Sequence, residues 1–165
     1  MGQVIHGKLD RYIYLVPRSG SHSIVAGWLE QHEQGNFALW QERGFHPSRY
    51  LSEQITEFQI PKSVNLAVVI RNPVERFRSM VSRHGDTVES QLVAPIYGPL
   101  PKLPFTHYFR FEDQLQECAE WLGIDGVLPV LAESDEGDKP TLTPEQENRV
   151  REIYADDIAL WESLQ

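Results

Sequence analysis

The 165-residue chain reads as an α/β protein, a three-layer sandwich with a mainly parallel central sheet. Three observations predict this. Runs of aromatic, branched or apolar residues stand at 11–16, 65–70 and 106–111. A helical pattern follows each run. The middle run, "NLAVVI", is apolar throughout, as a strand buried on both faces requires, whereas a half-exposed strand alternates.

The first strand, 11–16, holds Tyr12, Ile13, Tyr14, Leu15 and Val16 and stops at Pro17. From Ser21 to about Gln31, the residues Ile24, Val25, Trp28 and Leu29 form one helical stripe. The stretch 37–40 is too short to assign to strand or loop, and 47–58 reads as a helix with Pro47 in its first turn. After the strand 65–70, Asn72 is a candidate N-cap with Pro73 at the first helical position and Glu75 in the first turn. Residues 85–104, rich in Gly and Pro, read as a long surface loop able to cover a site. A third strand is expected at 106–111, then a helix at 112–122 closed by Gly123. The acidic stretch 132–140 reads as a loop. Thr143, Pro144 and Gln146 spell a capping box that opens one last helix, with Val150, Ile153, Tyr154, Ile158 and Trp161 along its apolar side.

Length and a 41% hydrophobic content suit a single domain over 1–165. The lone Cys118 excludes an internal disulfide framework, and no Cys/His group has zinc-ligand spacing, so a reducing, cytoplasmic setting is expected. The longest aliphatic run, Leu66 to Ile70, is far below the roughly 20 residues that span a bilayer, and the N-terminus shows no secretory signal pattern. Charge is uneven: residues 1–110 carry 12 basic and 9 acidic side chains, residues 111–165 carry 3 and 15. That balance argues against nucleic acid as a partner but leaves arginines where a small anion could dock.

Two basic loops follow predicted strands, and in a parallel sheet ligands sit at the strands' carboxyl ends. The first, "PRSGSHS", opens a helix whose free N–H groups face an anion placed above it. Gly20 would permit close backbone approach, Ser19, Ser21 and Ser23 add hydroxyls, and Arg18 adds a charged fork. The Walker pattern G-x-x-x-x-G-K-[ST] is absent, which disfavours an ordinary NTPase. In the second loop, Arg71 ends the strand and Ser79 lies about two helical turns on, so both could reach one anion. Arg76 and Arg83 read as solvated or ion-paired helix cations.

"PRSGSHS" resembles the 5′-phosphosulfate loop of sulfotransferases, P-K/R-x-G-[TS]-x-x, and "IRNPVERFRSM" resembles their 3′-phosphate motif, R-[DN]-P-x-x-R-x-x-S. "FRFEDQLQECAEWLGI" and the terminal "Y-x-x-D" helix resemble later segments of the same family, in the same order. The resemblance implies a fold related to P-loop kinases and the donor 3′-phosphoadenosine 5′-phosphosulfate (PAPS), which leaves as 3′,5′-bisphosphate (PAP), with no metal required. It places Arg18, Ser19, Gly20, Ser21, His22 and Ser23 around the 5′-phosphosulfate, and Arg71 and Ser79 on the 3′-phosphate. Arg18 stands where the family often has lysine, and His22 where threonine is common.

Sulfuryl transfer needs in-line placement of the acceptor oxygen or nitrogen and stabilisation of charge on the bridging oxygen, a task for Arg18 and the helix amides. His46 in "ERGFHPSRYL" is the candidate general base, since histidine titrates near neutrality, with Glu42 as runner-up. His84 could face the cleft, His107 reads as packed in its strand, Lys139 as solvated, and Trp28, Trp121 and Trp161 as core residues. The expected enzyme is a small soluble PAPS-dependent sulfotransferase acting on a small-molecule or carbohydrate acceptor, without nucleic acid or membrane as partners. The alternatives are a non-catalytic binder of PAPS or PAP and an ATP-dependent small-molecule kinase.

Overall fold

The computed structural model describes residues 3–32, 64–129 and 135–165. Its centre is a four-stranded mixed sheet of order β1-β2-β3-β4, formed by Gln3–His6, Arg11–Leu15, Asn65–Ile70 and His107–Arg110. The first strand, β1, runs antiparallel to β2, pairing Gln3 with Leu15 and His6 with Tyr12. The other neighbours are parallel: Arg11 pairs with Asn65 and Tyr14 with Val68, then Ala67 with His107 and Ile70 with Arg110. The chain is thus α/β with a mostly parallel sheet.

Burial on both faces explains the unbroken apolar run of β3. On one face Ala67 and Val69 join Ile5, Ile13, Leu15 and Phe109 beneath Ile24, Val25 and Leu29 of α1 (Ser21–His32) and Cys118, Ala119 and Leu122 of α4 (Leu115–Leu122). On the other, Leu66, Val68 and Ile70 lie with Val4, Tyr12 and Val16 against Leu100, Leu103 and Phe105 and against Leu160, Trp161 and Leu164 at the end of the chain. Helix α2 (Pro73–His84) is backed by α5 (Pro144–Ile153), where Phe77, Met80 and Val81 meet Val150 and Tyr154.

Several helix ends form as their residues dictate. The Asn72 side chain accepts from the N–H groups of Val74 and Glu75, Pro73 starts α2, and Gly85 closes it in the left-handed conformation. The Thr143–Gln146 capping box is present in both directions. Gly123 ends α4 at φ +85°.

Other elements depart from the sequence reading. β1 was not expected: four residues are too few to show an alternation. The stretch 85–104 is not all loop, because Thr87 caps a short helix α3 (Val88–Val93) that sets Val88 and Leu92 against the α2–α5 core. The helix expected over 112–122 begins only at Leu115, after a turn in which the Gln114 side chain accepts from the Arg110 N–H. The acidic stretch contains a 3-10 turn, Glu136–Asp138. The last helix is two, α5 and α6 (Ala155–Ser163), divided at Tyr154. The readings over 37–40 and 47–58 lie outside the described residues. No helix among the described residues is long and apolar enough to cross a membrane.

Because Asn72 holds the first turn of α2 directly behind the second basic loop, Asn72→Ala is expected to lower stability by about 1 kcal/mol, and Asn72→Asp to leave it nearly unchanged. Urea unfolding of the two variants checks this.

Candidate functional site

The carboxyl ends of β2 and β3 are adjacent, so the loops that follow them meet. After β2 the backbone changes hand at successive residues: Arg18 has φ +64°, Ser19 is not positive, and Gly20 has φ +76°. The Ser19 N–H donates to the Val16 carbonyl at 3.2 Å, so residues 16–19 form a tight turn with Pro17 and the left-handed Arg18 at its centre, and the chain leaves it directly into the first turn of α1, whose free N–H groups suit an anion. A non-glycine residue in the left-handed region costs about 1–2 kcal/mol, and such strain persists where surrounding bonds impose it.

Besides the Ser19–Val16 turn bond, such bonds come from the second loop and α2. Arg71 donates from Nη1 to the Arg18 carbonyl at 2.9 Å, and Arg76 donates from Nε to the Pro17 carbonyl at 3.1 Å. The Arg18 side chain returns the contact, its Nε and Nη2 donating to Ser79 Oγ at 3.0 and 2.8 Å. The Arg71 guanidinium lies 4.6 Å above the Phe111 ring, a cation–π contact that orients it. Behind the second loop, Glu112 accepts from the Asn72 N–H at 2.8 Å and from the Trp161 indole at 3.3 Å.

The structure therefore brings Arg18, Arg71 and Ser79 together. Ser79 is fully buried at 0% exposure, and its hydroxyl lies on Arg18. Ser19 is 2% exposed, and its hydroxyl makes no hydrogen bond. Ser23 is buried, whereas Ser21 and His22 are half-buried on the first turn of α1. His46 and Glu42 lie outside the described residues.

Gly20 also has a packing role. A Cβ there would come within 2.7 and 2.9 Å of the two Leu115 methyl carbons and 3.2 Å of a Phe111 ring carbon. The missing side chain seats the loop against the start of α4, and the φ of +76° favours glycine independently.

Electrostatics favour an anion here. Burial first, and then the charges of Arg83 and Arg71, push the Arg18 guanidinium below its usual value, although arginine stays charged at any working pH. Arg83, exposed on the last turn of α2 four residues beyond Ser79, adds to the positive field around Arg18.

Arg76, expected to be solvated or ion-paired, is ion-paired and also buried. It is 7% exposed, 3.8 Å from the Asp157 carboxylate, and donates from both terminal nitrogens to the Gly98 carbonyl at 3.3 and 3.4 Å. The signal was available in helical phase, since Arg76 precedes the buried Phe77 and lies four residues before buried Met80. Asp157, also buried, accepts from the Leu100 N–H at 3.1 Å with both oxygens, and the Tyr154 hydroxyl donates to the Tyr97 carbonyl at 2.7 Å. Tyr154 and Asp157, the terminal Y-x-x-D pair, thus tie down residues 97–100.

The remaining candidates are structural. His84 packs edge-on against Tyr97 at 5.4 Å, and His107 stacks near Trp121 at 4.7 Å. Lys139 is not solvated: its ammonium bonds Glu136 at 2.7 Å and lies 3.9 Å from Glu75, in a network that Arg78 extends. Burial pushes the Cys118 thiol up, leaving it inert. Among the described residues, no group of three His, Cys, Asp or Glu side chains is placed to hold a metal ion.

Compared with protein-family models, curated proteins and solved structures, the chain matches none.

Gly20→Ala is expected to destabilise by about 1–3 kcal/mol through backbone strain and overpacking. Leu115→Ala in the same chain should relieve part of the clash, giving a double variant less destabilised than the sum of the two. A second prediction concerns Asp157, whose carboxyl burial raises above its ordinary value; the Leu100 N–H and Arg76 oppose the rise and Asp156 adds to it. The native state then holds this proton more tightly than the unfolded chain, so the contribution to stability falls as pH rises through the raised value. Urea unfolding from about pH 4 to about pH 7 should show the stability of the wild type relative to Asp157→Asn declining with pH.

Proposed function

We propose that the chain binds PAPS at the loops after β2 and β3 and transfers its sulfuryl group to a hydroxyl or amine acceptor, on a fold related to P-loop kinases. The observation that carries this reading is the meeting of the Pro17–Gly20 loop with Arg18 and Arg71 at the ends of two adjacent parallel strands. Two anionic groups on one ligand fit such a cluster better than a single ion does. The buried Ser19 hydroxyl, which makes no hydrogen bond in the structure, fits an oxyanion at the loop. The order of the two motifs along the chain supports the same nucleotide.

The donor supplies an activated sulfuryl group; the chain's own residues bind it, orient it and offset its charge. Arg18 and the first turn of α1 face the 5′ end, where negative charge develops on departure, while the Ser19 N–H stays on the Val16 carbonyl. Arg71, held over Phe111 and on the Arg18 carbonyl, serves the 3′-phosphate. Ser79, buried with its hydroxyl on Arg18, fixes that guanidinium between the two loops. His46 takes the acceptor's proton, with Glu42 as the alternative base.

Arg71→Ala should weaken PAP binding about 10- to 100-fold, the cost of one or more charge-assisted hydrogen bonds, without a matching loss of stability. His46→Ala should abolish transfer of labelled sulfate from PAPS, screened over sugars, phenols, lipids and amines, while PAP affinity stays at the wild-type level. Undiminished transfer in His46→Ala removes that residue from the mechanism. Wild-type protein that binds PAP but transfers to no acceptor favours a non-catalytic nucleotide binder.

A further inference from the structure

Arg76 touches three parts of the molecule that are far apart in sequence. Its Nε bonds the Pro17 carbonyl, its terminal nitrogens bond the Gly98 carbonyl, and Asp157 on α6 lies 3.8 Å away. The Tyr154 ring packs 5.8 Å from its guanidinium carbon. At 7% and 5% exposure, Arg76 and Asp157 form a buried ion pair. Such pairs are usually no better for stability than apolar residues of the same volume, and here an apolar side chain would simply extend the Phe77–Met80 stripe. What only the arginine provides is a fork that grips carbonyls on two separate segments.

The Pro17 carbonyl is the one that matters for the loop. Proline fixes its own φ, so the remaining freedom of the peptide that follows lies in one torsion. A planar trans peptide points its N–H opposite to its C=O. Pinning the Pro17 carbonyl on Arg76 therefore aims the Arg18 N–H the other way, while the Ser19 N–H closes the turn on the Val16 carbonyl at 3.2 Å and Arg71 holds the Arg18 carbonyl. The left-handed Arg18 lies between these two anchors.

We propose that Arg76 is a positioning residue for the anion loop, fixing its alternating-handed backbone through the Pro17 carbonyl with Asp157 as its buried counter-ion. The loop's purpose rests on the nucleotide reading above; how the loop is held does not.

Amide spectra of nitrogen-15-labelled, ligand-free protein test the proposal, together with PAP titration, on Arg76→Met and Arg76→Lys. In Arg76→Met the amide resonances of Arg18, Ser19 and Gly20 should move, and PAP affinity should fall about tenfold or more. In Arg76→Lys, whose ammonium can still donate to the Pro17 carbonyl, the resonances should return toward wild type and affinity should recover to within about threefold. Variants that only lower the unfolding midpoint, with these three amides and PAP affinity unmoved, overturn the proposal. If Arg76→Met does not fold, Asp157→Asn decides: the same amides should shift in the same direction by less, and unmoved amides overturn it. Loop amides that respond to Arg76→Met in a protein that does not bind PAP uphold the positioning role and refute the nucleotide reading.

Discussion

Two consecutive backbone carbonyls, those of Pro17 and Arg18, are held by arginines of the neighbouring βα unit, and the site takes its form from that grip. With those oxygens turned toward Arg76 and Arg71, the loop is kept in a conformation that a free arginine at position 18 would avoid. Arg18 closes the circuit by reaching back to Ser79 on α2. The two basic loops are therefore tied to each other, in addition to the turn that the Ser19 N–H closes on the Val16 carbonyl and the cap that Asn72 makes on α2.

The sheet makes this possible. Parallel pairing of β2 with β3 puts both loops at the same edge, while burial of β3 on both faces fixes its register, since a one-residue slip would exchange its two sets of apolar contacts. The chain beyond α2 then braces the assembly from behind. Asp157 holds the Leu100 N–H and balances Arg76, Tyr154 holds the Tyr97 carbonyl, and Glu112 joins the Asn72 N–H to Trp161. The acidic C-terminal part of the sequence is thus more than a solvated surface, because at least one of its carboxylates is buried as a counter-ion to the site's support.

Much of this was legible because it depends on local pattern. Strand β3, the Asn72–Pro73 start of α2 and the Thr143 capping box are written in adjacent residues, and their geometry follows from short-range sterics and hydrogen bonds. The pairing of Arg18, Arg71 and Ser79 could be anticipated from helical spacing and the rule that strand ends share an edge. What escaped depends on contacts between distant segments. Nothing near Gly20 announces that its missing Cβ makes room for Leu115, and no proline or glycine marks the division between α5 and α6 at Tyr154. Helix α3 is too short for a periodic pattern, and Lys139 looks solvated until Glu75 and Glu136 are folded beside it. For Arg76 the ion pair was within the expectation, and its burial could have been read from the helical phase that places it beside Phe77 and Met80.

The proposed ligand is a nucleotide with phosphate groups on both the 3′ and 5′ positions of the ribose, and ATP with magnesium is the competing reading. Calorimetric titration of the full chain with PAP and with magnesium–ATP, in one buffer at one ionic strength, separates them directly. Tighter binding of PAP is the predicted result. Equal binding of the two, or no binding of PAP, would contradict the assignment of this site to a 3′,5′-bisphosphate.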